Sequence, residues 1–381
     1  MEETGIVNFN SNYRFRSSNL KRARVLRRYS ITDLAEALDI SQTSISAYEN
    51  GKRTPSIDNL NKIAKLLDFP IHYFNTDLDD NELKKRNGFF RKYSRVPKRD
   101  REAVEELAFF TWRVFCKMEA KLNFPKYSDI IQVERSSNFR QIPRDYIESV
   151  ANEIRERFDF GNGPLINLTG FMESQGIILS FLDLGEMRID AYTNVFDGTP
   201  IIILNSRRIS SSRIRFNLAH ELAHLLFHID YLHEYQAGDK YSMIEEEANY
   251  FAGCLLLPED GLRNDLSAIN MQYLITLKQH WVVSVGAIIT RSEQCELISS
   301  EHALHLRQQL RRNGWRLKEP LDDDLEIEKP VLLESAMKLI ESKIISLNQF
   351  AHETSLSVTM LNEITNYTKP IEKSQVTLKV I

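Results

Sequence analysis

Arg215-Phe216-Asn217-Leu218-Ala219-His220-Glu221-Leu222-Ala223-His224-Leu225-Leu226-Phe227-His228 decides how this chain folds. Apolar Ile214, Leu218, Leu222, Leu225 and Ile229 recur at helical spacing, so residues 212–229 are expected to form one amphipathic helix. On that helix His220 and His224 stand one turn apart on a common face, where both imidazoles can reach one zinc ion. Glu221 lies between them in sequence and can lean toward the metal's water without binding the metal. Zinc acidifies a water and polarises a peptide carbonyl, and a carboxylate so placed can take the proton. The same residues therefore predict a helix and a hydrolytic metal centre.

Histidines and carboxylates stay dense downstream. His220, His224, His228 and His233 are four of the nine histidines and fall within fourteen residues. At a rise of 1.5 Å per residue His228 lies about 12 Å along the axis from His220, too far to share an ion with His224 between them. A polar rim or a substrate contact is expected of it. Tyr231, His233 and Tyr235 are candidate hydrogen-bond donors to a transition state. The third ligand is expected from the next helix, residues 242–258, which carries Glu245-Glu246-Glu247-Ala248-Asn249. If Glu245 is that ligand, Asn249 follows one turn later and can orient a ligand histidine. Two alternatives stay open. Ser242-Met243-Ile244-Glu245 is also a capping-box pattern in which Glu245 only caps its own helix, and Glu246 or Glu247 would serve if the register differs. Cys254, behind Phe251-Ala252-Gly253, reads as a small core residue.

These residues resemble the ImmA/IrrE family of zinc metallopeptidase-like proteins. The resemblance is carried by the stretch quoted first and by residues 245–258, ending Leu255-Leu256-Leu257-Pro258. Pro164-Leu165-Ile166-Asn167-Leu168, Gly176-Ile177-Ile178 and Leu277-Lys278-Gln279-His280-Trp281-Val282-Val283-Ser284 add to it, so that it spans roughly residues 144–320. Ala223 stands where the family usually has glycine, a change that favours helix. The resemblance implies Zn2+ held by His220, His224 and Glu245, Glu221 as catalytic base, and a zincin-like small sheet ahead of the HExxH helix.

The sheet is legible on its own terms. β-type runs at residues 176–182, 187–192 and 200–205 follow a helix expected near 145–158, and Asp183-Leu184-Gly185-Glu186 suits a hairpin between the first two runs. A small antiparallel sheet is the expectation.

Further upstream the pattern is helical only. Residues 18–75 divide into four or five short helices at Ser30, Ser41, Gly51, Pro55 and Phe69-Pro70. Residues 32–38, the pair Asp39-Ile40 and residues 41–50 spell helix, tight turn, helix. The second helix opens with Ser41-Gln42-Thr43-Ser44, polar on one side and suited to a major groove. Here the chain resembles the helix-turn-helix domain of the phage-repressor and Xre family, through residues 44–56 and Leu60-Asn61-Lys62-Ile63-Ala64-Lys65-Leu66-Leu67. Gln42, Thr43 and Ala47 are then implied to face bases, and Ser41, Ser46, Asn50, Lys52 and Arg53 to face phosphates. Ile31 stands where many relatives place a phosphate-binding glutamine. Ile45, Tyr48, Leu60 and Ile63 read as core. Arg22, Arg24 and Arg28 are open between a solvated face and phosphate contact.

Composition sets the frame. The 381 residues carry 49 basic and 53 acidic side chains, a net charge of −4 that conceals the acid-free basic run from Arg14 to Arg28. No apolar stretch approaches the roughly 18 residues of a membrane span, and Met1-Glu2-Glu3 is unlike a signal peptide. Three scattered cysteines fit a reducing, cytoplasmic setting. No internal repeat or low-complexity tract is evident. The expected class is α+β, mainly α, in four parts: a helix-turn-helix DNA-binding domain at 12–76, a charged linker and connecting helix with Phe109, Phe110, Trp112 and Phe115 at 77–130, a zinc metallopeptidase-like domain at 131–262, and a mainly helical C-terminal region at 263–381. The expected function is a homodimeric transcriptional regulator on a double-stranded DNA operator, away from membranes, whose zinc endopeptidase cleaves a protein partner or itself. The rival is a non-catalytic zinc sensor, repressor or antitoxin that binds DNA and a protein partner.

Overall fold

The computed structural model describes residues 14–78, 89–90, 96–128, 130–185, 187, 189–207, 210–231, 235 and 238–368. The N-terminal unit contains α1 (Ser17–Leu26), α2 (Ile31–Leu38), α3 (Gln42–Glu49), α4 (Ile57–Leu67) and a 3-10 turn (Ile71–Asn75). Serines start three of these helices. Ser30 and Asp33 form a reciprocal capping box, and Ser41 and Ser56 each accept from the backbone N–H three residues on. Asp39 and Asp68 end α2 and α4 in the left-handed conformation. Leu20, Leu34, Ile45, Tyr48, Leu60, Ile63 and Tyr73 close the core.

The basic run is not the open patch that its charge suggests. Arg24 grips both carboxylate oxygens of Glu49 at 2.6 and 2.9 Å. Arg27 meets Asp68 at 2.9 Å, and Arg28 meets the buried Asp100 at 2.7 Å. Arg22 is buried 3.6 Å from Glu106, its guanidinium 4.9 Å from the Phe109 ring centre. Each of Arg22, Arg24 and Arg28 is thus tied to an acid remote in sequence.

A four-stranded sheet divides the molecule into two cores. It is made of β1 (Phe89–Phe90), β2 (Ile178–Leu182), β3 (Ala191–Phe196) and β4 (Thr199–Asn205) in the order β1-β3-β4-β2. β3 pairs antiparallel with β1 and β4, whereas β2 runs parallel to β4. The expected antiparallel hairpin through residues 183–186 is therefore wrong. The hairpin turns instead at Asp197-Gly198, with φ of 48° and 79°, the double positive-φ geometry that aspartate-glycine pairs adopt in two-residue hairpins. Strand β4 is apolar on both faces: Ile201 and Ile203 join one core, Ile202 and Leu204 the other.

The first core unites the N-terminal unit with α5 (Lys98–Glu119) and the chain's last described helices. Phe110 of α5 lies 5.7 Å from Phe69, and Trp112 stacks 5.4 Å from Phe196 beside the hairpin turn, so one helix touches both the helix-turn-helix and the sheet. The second core holds α6 (Arg144–Arg157), α7 (Leu168–Ser174), α8 (Ser211–Ala223) and α9 (Asp239–Leu256). Beyond them run α10 (Glu259–Asp265), α11 (Met271–Trp281), α12 (Val285–Gln294) and α13 (Ser300–Arg312), then α14 (Leu332–Lys343), α15 (Leu347–Thr354) and α16 (Val358–Thr365). No helix among the described residues is long and apolar enough to cross a membrane.

One local turn recurs without any repeat in the sequence. Helices α15 and α16 reproduce α2 and α3: eight residues each, a left-handed residue at the end of the first (Ser355 for Asp39), an apolar residue (Leu356 for Ile40), then a serine cap (Ser357 for Ser41). Val282, Val283 and Ser284 set the same turn between α11 and α12. What recurs is cap chemistry and spacing, with little residue identity to reveal it. In the C-terminal unit the second helix is built inward: Ser180 of β2 donates to the Ile364 carbonyl at 2.8 Å, and Met360, Leu361 and Ile364 are buried. That unit also rests on the first, through Ser357 to Asp68 at 2.8 Å and stacked His72 and His352 at 4.2 Å.

Candidate metal centre and nucleic-acid interface

Helix α8 lies on the second core's face of the sheet and runs into a π-helical turn, His224–His228. His220, Glu221 and His224 are 0, 1 and 2% exposed. The Nε2 atoms of His220 and His224 face each other at 3.0 Å. Glu245 of α9 brings one carboxylate oxygen to 3.7 Å from His220 Nε2 and the other to 3.4 Å from His224 Nε2. The ligand atoms of these three residues lie within 4.8 Å of one another. Asn249, one turn beyond Glu245, has its Oδ1 3.0 Å from His220 Nδ1 and so leaves His220 Nε2 turned toward the cluster. Two imidazole nitrogens and a carboxylate oxygen are a donor set that suits zinc and supplies three of its four ligands. Burial alone would raise the Glu245 carboxyl, but hydrogen bonds and charge from His220 and His224 outweigh it and hold the group well below the usual carboxylate range.

The structure separates the three neighbouring glutamates. Helix α9 begins at Asp239, three residues earlier than expected, which moves Glu245 into the helix body; the Ser242 hydroxyl donates to the Gly238 carbonyl at 3.2 Å. The capping-box alternative for Glu245 is thereby removed. Glu246 points outward to Arg144 at 2.5 Å, and Glu247 accepts the Ile142 N–H at 2.8 Å. Only Glu245 of the three turns toward both His220 and His224.

His228 is a second correction. It is 0% exposed, with Nδ1 2.9 Å from His224 Nδ1 and Nε2 3.1 Å from Glu247 Oε2, so it lies in the interior and not on a polar rim. Burial, then the neighbouring His224 and His220, hold its imidazole well below the usual histidine range and therefore neutral. Burial pushes the Glu247 carboxyl up to about 7 against the pull of the Ile142 N–H. Tyr231 packs edge-on to His228 at 6.1 Å and to Tyr235 at 6.2 Å, and burial raises its hydroxyl. His233 lies outside the described residues. Cys254 is fully buried, its thiol pushed up to about 12 by burial, as an inert core cysteine should be.

One partner escaped the sequence altogether. Thr193 of β3 donates its hydroxyl to Glu221 Oε2 at 2.6 Å, fixing the carboxylate beside the three-donor cluster. Its only local trace is a polar residue on an otherwise apolar strand face, and nothing in the sequence links it to a helix 28 residues away.

On the N-terminal unit, Ser41, Gln42, Thr43, Asn50, Lys52 and Arg53 are exposed, and Ser46 and Ala47 are partly exposed. Helix α3 thus presents a polar surface to solvent while Ile45 and Tyr48 anchor its back. The Asn50 amide donates to the Ser46 carbonyl at 2.8 Å, which commits it to its own helix. Ile31 packs against the core.

Comparison with known families finds matches in two regions. Residues 20–74 match the helix-turn-helix family, and residues 172–293 match the IrrE N-terminal-like domain, a peptidase family. No curated protein matches the chain significantly. The chain carries a DNA-binding helix-turn-helix domain fused to a metallopeptidase-like domain.

Proposed function

We propose that the chain is a cytoplasmic transcriptional regulator whose metallopeptidase-like domain is a Zn2+-dependent endopeptidase, acting on a protein partner or on the chain itself. His220, His224 and Glu245 would hold the ion, which when bound polarises a peptide carbonyl and acidifies a water. The observation that carries the reading is Glu221. A closed structural zinc site has no use for a buried carboxylate beside it, yet Thr193 holds this one by a 2.6 Å hydrogen bond. Glu221 would take a proton from the attacking water and deliver it to the leaving nitrogen, with Thr193 fixing the oxygen that does not carry it. Asn249 would keep the His220 ring in place during the reaction. On the DNA side, an eight-residue reading helix spans few bases, which supports a homodimer on paired half-sites of a double-stranded operator.

The near-complete burial of His220, Glu221 and His224 favours a second reading, a zinc-holding sensor or antitoxin that never turns over. The two are separated by labelling new N termini in a host lysate exposed to zinc-loaded or chelator-stripped full-length protein. The endopeptidase reading expects a small set of zinc-dependent termini. Identical termini in both samples would leave the sensor.

A further inference from the structure

The polar chain in the second core does not end at the three candidate ligands. We propose that Glu247 and His228 form a relay that locks His224 in the tautomer whose Nε2 lone pair faces the metal; this rests on the zinc reading above. They are positioning residues and bind no metal themselves.

The proton count follows from three contacts. Glu247 Oε1 accepts from the Ile142 N–H at 2.8 Å, and its Oε2 lies 3.1 Å from His228 Nε2. A lone pair on His224 Nε2 requires this chain to run outward, with Glu247 accepting in both contacts, so His228 carries its proton on Nε2. A neutral imidazole has one N–H, which leaves His228 Nδ1 as an acceptor. Its neighbour at 2.9 Å is His224 Nδ1, which must then be the donor. With the single proton of His224 spent on that side, its Nε2 presents a lone pair toward His220 Nε2 at 3.0 Å and toward Glu245. Asn249 performs the same service for His220 by a shorter route, its Oδ1 accepting from Nδ1 at 3.0 Å. Two bare lone pairs this close repel one another unless a cation lies between them. The π-turn His224–His228 spans both histidines of the relay, and such turns are frequent at functional sites.

The test uses full-length protein and zinc itself, with affinity read by competition against a chromophoric chelator at fixed pH. Glu247→Gln and His228→Leu should each weaken zinc binding by about 10- to 100-fold. His228→Gln, whose side-chain carbonyl can still accept from His224 Nδ1–H, should recover most of that loss. Glu246→Gln, whose exposed carboxylate pairs with Arg144, should bind zinc as the wild type does. Combining Glu247→Gln with His228→Leu should cost no more than the worse single variant, since both break one chain. Nitrogen-15 imidazole spectra of the metal-free wild type should show His224 protonated on Nδ1. Wild-type affinity in both Glu247→Gln and His228→Leu, or His224 protonated on Nε2 in those spectra, would overturn the relay. A wild type that holds no zinc would sink the metal reading instead, and the metal-free spectra would still decide the relay.

Discussion

Helices α3 and α8 are both short and rich in polar side chains, yet they use them in opposite ways. Those of α3, Tyr48 and Glu49 apart, face solvent and are bonded mostly within their own helix. Those of α8, Arg213 apart, are buried, and His220, Glu221 and His224 are each held by a group from another element or from the turn that follows. An exposed polar side chain can be replaced at little cost to the fold, whereas removing one member of a buried network strands its partner. Helix α16 supplies the control: the same helix-turn-helix spacing as α3, with its second helix packed on β2. The turn makes the shape, and exposure of the second helix makes a reader.

This contrast can be broken at six points. His224→Ala should have the largest effect, taking zinc from about one per chain to near none by elemental analysis; stoichiometric zinc in that variant would remove α8 from the buried-network class. Arg24→Ala leaves the nearly buried Glu49 carboxylate without its guanidinium, and should destabilise the N-terminal unit by about 3 kcal/mol in denaturant unfolding. Arg27→Ala, at a more exposed pair, should cost about 0–1 kcal/mol. Gln42→Ala should leave stability unchanged and lose about 1–3 kcal/mol of discrimination at one base pair, measured on operator variants. Lys52→Ala should weaken all sequences alike and reduce the salt slope of binding by about 1. Thr359→Ala, at the place in α16 that Thr43 holds in α3, should leave operator affinity unaltered in a mobility-shift titration.

Of the two candidate centres, the parts written in one short stretch were legible. His220 and His224 need only helical spacing to meet, and serine caps at 30, 41 and 56 announce the helices they start. Glu245 required knowing where α9 begins, and a start three residues early is what excluded the capping reading. Sheet topology was harder, because β2 pairs with a strand beyond its sequence neighbour; the Asp197-Gly198 pair was the stronger hairpin signal and residues 183–186 the weaker. Least legible were contacts between distant segments: Arg28 with Asp100, Thr193 with Glu221, and the joining of residues 332–367 to the core of the N-terminal unit. Each depends on tertiary packing that no local pattern encodes.

The most direct test of the proposed chemistry measures zinc content and peptide products on the same preparations of wild type and Glu221→Gln. Glu221 lies beside the ligand cluster and outside it, so the variant should retain about one zinc per chain and the wild-type melting temperature while forming none of the zinc-dependent N termini. Cleavage undiminished in Glu221→Gln, or no cleavage by a fully zinc-loaded wild type, would contradict the peptidase assignment and leave the buried cluster as a sensor.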